Sequence, residues 1–278
     1  MNVQTVNFKK KDASISFTNS LQKTGFSILK KHPIDLNLIN DVYAEWNNFF
    51  SKKNKYKYLF NKKTQDGFFP FQSENAKDHP AKDLKEFFHF YPWGVFPEEL
   101  SEKTGLLYKQ LLKLTEILLS WIENESPKHI KNLFSMPLTK MIDSSPNNLL
   151  RIIHYPPLKG NEDINALRGA AHEDINLITL LVAGTQPGLQ VKDNFGKWQR
   201  ISCDPGSIAV NAGDMLQEVT KGHFPSTTHQ VINPKDSEEN ISRYSMPLFL
   251  HPNSDVRLSD QYTAKEYLNE RLKEIGLK

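Results

Sequence analysis

Two histidines and an aspartate define the chemistry this chain could perform. His172 and Asp174 stand two residues apart in His172-Glu173-Asp174, and His229 follows much later in Ser-Thr-Thr-His-Gln-Val. The apolar, β-branched flanks predict strands, and side chains on a strand alternate between its two faces. His172 and Asp174 are therefore expected on one face, with Glu173 on the other. A distant histidine brought alongside completes a set of two imidazoles and one carboxylate. Such a set occupies one face of a metal ion and leaves the opposite face open, which suits non-haem Fe(II) working on dioxygen.

A second constellation lies at Arg243-Tyr244-Ser245. By the same alternation Arg243 and Ser245 share a face, and a guanidinium beside a hydroxyl forms a directional receptor for a carboxylate. Each charge-assisted hydrogen bond there is worth roughly 1.5–3 kcal/mol. Tyr155, at the end of a predicted strand, adds a phenol donor to the same anion. His154 is expected to face away from it, and His223 and His251 read as structural or surface residues.

The elements that must position these residues change character along the chain. Up to about residue 145 the sequence is rich in Lys and Phe, with strands predicted over 3–8 and 26–29 and helices over 16–23, 36–50 and 97–125. In the last helix Leu107, Leu111, Leu114, Leu118 and Trp121 recur every three or four residues, an apolar stripe that packs along a larger body. From residue 148 onward short strands are predicted over 149–155, 175–182, 188–191, 198–201, 207–211, 229–232 and 244–250, separated by Pro, Gly and Asn turns such as 212–214. A helix follows over 259–276, with Ser259 as its N-cap. The expected fold is mainly β with flanking helices, around a jelly-roll, cupin-like double-stranded β-helix. Its divisions are 1–145, a mixed helical region packed on the barrel, then 146–255, the jelly-roll core, then 256–278, a C-terminal helix.

Composition narrows the classes. A chain of 278 residues with net charge +3 is too mildly basic to argue for nucleic acid, and no apolar run approaches a membrane span. The single cysteine, Cys203, excludes an internal disulfide and any cysteine-rich metal site. Residues 2–12 lack the apolar segment of a signal peptide, so a cytoplasmic protein is expected, with a small-molecule substrate.

The ordered motifs resemble those of the isopenicillin N synthase-like Fe(II)/2-oxoglutarate oxygenases. The similarity covers about residues 17–252. It is carried by the stretch from His172 to Leu181, by Gly188-Leu189-Gln190-Val191, by 205–217, by Thr220-Lys221-Gly222, Ser226 and His229, and by Arg243-Tyr244-Ser245. The resemblance implies Fe(II) held by His172, Asp174 and His229, and 2-oxoglutarate anchored by Arg243, Ser245 and Tyr155. It also implies oxidative decarboxylation of that acid to succinate and carbon dioxide, coupled by dioxygen to hydroxylation or desaturation of a small molecule. Two positions depart from the family pattern: Ile153 replaces a frequent Asn, and Gln230 a frequent Arg. Ile153 keeps open an isopenicillin N synthase-type oxidase that uses dioxygen without 2-oxoglutarate. Phe87, Phe88, His89, Phe90, Tyr91 and Trp93, with Phe68, Phe69 and Phe71, read first as core packing and second as the lining of a substrate pocket. Arg168 reads either as a contact to an acidic substrate or as a surface residue, and the lysines of 9–11 and 52–63 as a solvated face.

Overall fold

The computed structural model describes residues 2–75, 79–202, 204–237 and 239–274. Cys203 and positions 275–276 of the expected terminal helix lie outside them. The described strands are β1 (Thr5–Asn7), β2 (Phe26–Lys30), β3 (Gly67–Phe69), β4 (Glu86–Phe90), β5 (Leu149–Tyr155), β6 (Gly169–His172), β7 (Ile178–Val182), β8 (Leu189–Lys192), β9 (Trp198–Arg200), β10 (Ile208–Ala212), β11 (His229–Val231) and β12 (Arg243–Leu250). The helices are α1 (Ala13–Thr24), α2 (Leu36–Ser51), α3 (Lys103–Glu125), α4 (Lys128–Lys131), α5 (Leu138–Met141), α6 (Asp214–Val219) and α7 (Ala264–Glu274).

Strands β1-β2-β10-β7-β12-β5-β4-β3 form one sheet and β6-β11-β8-β9 a second. All pairings are antiparallel except β1 with β2. The larger sheet is apolar on both faces because each face meets a different layer. On β5, Leu150 and Ile152 join the helix-side core, while Ile153 and Tyr155 point inward to a separate cluster with Leu189, Val191 and Val231 of the smaller sheet. The same alternation holds on β7, where Leu180 faces the helices and Leu181 the interior, and on β10 with Val210 and Ala209.

On the outer face α2 buries Leu38, Ile39, Val42, Trp46, Phe49 and Phe50, with the Asp35 carboxylate capping the Asn37 N–H at 2.9 Å. Along α3, Leu107, Leu111, Leu114 and Leu118 are fully buried, as the stripe predicts, each contributing about 1.5–3 kcal/mol. Residues before 146 also supply β1–β4 to the larger sheet, so its edges are built from the first half of the chain.

Three local expectations are corrected. The strand expected over 175–182 starts only at Ile178, since the backbone of residues 174–176 bonds to Asp214 and Met215 rather than to a sheet neighbour. Here the chain crosses from the smaller sheet to the larger. The turn expected at 212–214 is the entry to α6. The terminal helix begins at Ala264, and its cap is Thr263, not Ser259. Thr263 Oγ1 accepts from the Glu266 N–H at 3.3 Å while Glu266 accepts from the Thr263 N–H at 2.7 Å, a capping box.

Candidate metal centre

The three predicted ligands converge where the two sheets meet. His172, the last residue of β6, lies directly across from His229, the first of β11. Asp174 sits in the crossover just beyond β6 rather than on a strand, and its Oδ1 is 3.8 Å from Nε2 of both His172 and His229. The three donor atoms lie within 4.8 Å of one another, a separation one ion can bridge.

Every ligand atom on the far side from this point is already bonded. His172 Nδ1 donates to the Ala170 carbonyl at 2.8 Å and His229 Nδ1 to the Thr227 carbonyl at 3.1 Å. A carbonyl only accepts, so each Nδ1 carries the proton and each Nε2 presents its lone pair inward. Asp174 Oδ2 accepts from Thr179 Oγ1 at 2.6 Å and from Asn211 Nδ2 at 2.8 Å, leaving Oδ1 to the imidazoles. Thr179 and Asn211 are the inward-facing residues of β7 and β10, and Asn176 Nδ2 donates in turn to Thr179 Oγ1 at 2.9 Å. Gly213 closes this corner, for a Cβ there would lie 2.1 Å from the Asn176 carbonyl oxygen. Glu173 points away and accepts a hydrogen bond from Thr228.

Burial, then the adjacent His229, lowers the His172 pKa and favours the neutral imidazole a metal requires. Burial works to raise Asp174, but His229, His172, Asn211 and Thr179 outweigh it and hold the carboxyl below its usual range. The donor set therefore fits a divalent transition metal with nitrogen and oxygen ligands. The His172 side chain stays 38% exposed against 6% for Asp174 and 11% for His229, so the site opens on the His172 side.

The predicted anion receptor lies on the inner face of the larger sheet. Arg243 is paired with Tyr155 across β12 and β5, and its guanidinium carbon is 4.9 Å from the Tyr155 ring centre. Arg243 Nη1 donates to Ser245 Oγ at 3.3 Å and Nε to the Gln186 carbonyl at 3.0 Å. Arg243 is 2% exposed. Ile153 faces the same interior and packs with Leu189 and Val231, so it offers an anion no donor.

Other expectations divide. His154 faces outward, stacked 4.6 Å from Tyr244 and bonded to Glu86 at 2.8 Å. Phe68, Phe88 and Phe90 pack under the helices and Phe69 and Phe87 in the interior, whereas Phe71 and Trp93 are exposed. His251 is not a surface residue: burial depresses its pKa to about 4. Lys55 leaves the solvated lysine run to pair with buried Glu86 at 2.8 Å. Arg168 is not on the surface either; it is 2% exposed.

Sequence reasoning missed a buried polar cluster flanking the opening. Arg151, inward on β5 like Ile153 and Tyr155, lies 4.5 Å over the Phe87 ring and donates to His89 Nε2 at 2.9 Å and to Glu74 at 3.2 Å. Lys85 bridges Glu74 and Asp83, each at 2.8 Å, and Asp83 accepts from the Ala170 N–H at 3.0 Å on the strand that carries His172. Burial opposes the Glu74 charge, yet Arg151 and Lys85 hold its carboxyl well below the carboxylate range. Burial and the Arg151 charge drive His89 well down. Period-two spacing from Tyr155 was the available signal for Arg151.

The 2OG-Fe(II) oxygenase superfamily matches residues 146–252, and the N-terminal domain described as non-haem dioxygenase in morphine synthesis matches 6–109. A crystal structure from Shewanella oneidensis, described as an oxygenase, is 47% identical over 100% of both chains with a TM-score of 0.90. A 2OG-Fe(II) oxygenase family protein from Caulobacter crescentus is 30% identical, covering 98% of this chain and 99% of its own, with a TM-score of 0.82. The 2-oxoglutarate-dependent dioxygenase citB of Monascus ruber is 28% identical over 89% of this chain and 84% of its own length.

Proposed function

Since this chain belongs to the 2OG-Fe(II) oxygenase superfamily, we propose that it oxidises a small molecule at iron held by His172, Asp174 and His229, with 2-oxoglutarate anchored by Arg243, Ser245 and Tyr155. It is an Fe(II)- and 2-oxoglutarate-dependent oxygenase, and the oxidase reading kept open by Ile153 gives way to that family assignment. The residue roles rest on one observation above all: three donor atoms face a common point while their remaining polar atoms are tied to the protein.

Bound iron would supply the redox chemistry, with dioxygen the oxidant: two electrons would come from 2-oxoglutarate as it is converted to succinate and carbon dioxide, and two from the substrate. The chain's own contribution is placement. Ala170 and Thr227 fix the tautomers of His172 and His229, and Thr179 and Asn211 fix the carboxylate of Asp174. Arg243 and Ser245 hold the far carboxylate of the co-substrate with charge-assisted bonds, and Tyr155 walls the same space. Phe69, Phe87, Val191 and Val231 keep water from the interior between the two sheets. The substrate enters on the exposed side of His172.

Protein purified without oxygen is expected to bind ferrous iron and to release succinate when given 2-oxoglutarate and dioxygen. Iron retained at wild-type level after combined His172→Ala and His229→Ala substitution would overturn the ligand assignment.

A further inference from the structure

Arg168 immediately precedes β6, and the two-residue alternation puts it on the same face as Ala170 and His172, the face turned to the interior. Its side chain is buried, and the hydrogen bonds it makes are few for a guanidinium. Nη2 donates to the Ile241 carbonyl at 2.8 Å, and buried Nε has no partner. The backbone N–H is held by Asn233 Oδ1 at 2.9 Å, which fixes where the side chain starts. Ile241 stands two residues before Arg243, and Arg168 lies close enough to Arg243 and Tyr155 to feel their charges. Burial, then the charge of Arg243, pulls the Arg168 pKa down to about 10. Among the described residues no carboxylate pairs with either arginine.

Two neighbouring buried cations with no carboxylate partner among the described residues are unfavourable until an anion arrives. The strand that carries Tyr155 offers no amide to that anion, because Ile153 is part of the apolar interior. Along β6 Arg168 stands four positions before His172, about 13 Å of extended chain. A five-carbon 2-oxo acid together with an arginine side chain fits between those two points.

The geometry points to Arg168 as a second guanidinium for the distal carboxylate of the 2-oxo acid, one that makes the receptor selective for a dicarboxylate. This rests on the 2-oxoglutarate-dependent reading above. Arg168 stands in for the missing amide at position 153, and its unpartnered Nε is the donor reserved for the ligand.

The test uses full-length protein loaded with Mn(II) and kept free of oxygen, with binding of 2-oxoglutarate and of 2-oxobutyrate measured by calorimetry. The second acid chelates metal in the same way but lacks the distal carboxylate. Arg168→Met is expected to weaken 2-oxoglutarate about tenfold or more and to leave 2-oxobutyrate unchanged, as loss of a charge-assisted bond requires. Arg168→Lys recovers part of the loss. The melting temperature of the ligand-free Arg168→Met protein does not fall, whereas loss of a structural strut would lower it. Equal weakening of both acids, or undiminished binding of 2-oxoglutarate, overturns the inference while leaving the parent reading intact. Wild-type protein that binds metal but neither acid overturns the parent reading, and this inference with it.

Discussion

The two ends of the interior are satisfied to different degrees. At the metal corner Nδ1 of both histidines and Oδ2 of Asp174 have partners between 2.6 and 3.1 Å, with only the inward atoms left over. At the cationic end, among the described residues, two buried guanidiniums lack a carboxylate and Arg168 Nε lacks a hydrogen-bond partner. The corner is organised by folding, so its ligands lose little freedom when metal binds. The cationic end stores an unmet electrostatic demand that only an anionic ligand relieves. On the proposed reading, one site combines rigid placement of the reacting centre with selectivity for the acid that serves it.

The harshest way to break this contrast is at the corner itself. Asp174→Ala removes the one carboxylate between two imidazoles, and iron content and succinate formation are both expected to drop to background. Metal analysis alongside a succinate assay checks this, and substantial bound iron in the variant would place the ion elsewhere. Next in size is Arg243→Met at the opposite end. It is expected to raise the KM for 2-oxoglutarate by roughly 10–100-fold, the loss of one or two charge-assisted bonds. Iron content stays at the wild-type level. The melting temperature of the ligand-free protein should hold or rise, because an uncompensated buried charge is gone. A marked fall would show that the Gln186 carbonyl and Ser245 hydroxyl need that guanidinium for folding.

A subtler change separates ligand identity from ligand support. Thr179→Val keeps shape and burial but removes the 2.6 Å bond to Asp174 Oδ2. Loss of such a supporting bond lowers metal affinity by about tenfold or more. The 2-oxoglutarate affinity of the metal-saturated variant is expected to match wild type. Competition with a chelator reads the first quantity and calorimetry the second. Weakening at both ends at once would mean that the two regions are not independent.

How much of this was legible in the sequence follows from which signals are local. Period-two alternation assigned faces on β5 and β12 correctly, so Tyr155, Arg243 and Ser245 share an interior while His154 points out. The same reasoning misplaced Asp174 on a strand, because bonds from Asp214 and Met215 to the backbone of 174–176 are made by residues forty positions away and leave no local trace. Thr179 and Asn211 could have been found by extending the alternation from Leu181 and Ala209. Arg151 could have been found the same way from Tyr155, but its pairing with Glu74 and the adjoining Lys85 and Asp83 could not, since these depend on β4 pairing with β5 and on a loop folding over both. Arg168 was legible as a residue near the motif, but its setting depends on Asn233, just past the neighbouring strand β11, and on Ile241, just before β12, both more than sixty positions away.

Acidification offers a last, smaller way to sharpen the comparison, because the two ends titrate differently. In the metal-free protein His172 is held below its ordinary pKa by burial and by His229, and His251 is pushed by burial to about 4. An unfolded chain binds protons at these histidines from about pH 6.5 downward, earlier than the folded one. The stability they contribute is therefore complete above about pH 6.5 and is lost as pH falls toward the folded values. Asp174 and Glu74, both depressed, add a further loss once pH drops below the ordinary carboxylate range near 4. Arg168, lowered only to about 10, stays charged throughout this span. Urea unfolding of metal-free protein between pH 7.5 and 4.5 should show falling stability, and His251→Gln should flatten the slope between pH 6.5 and 4.5. An unchanged slope in that variant would exclude His251 as a source of the acid sensitivity.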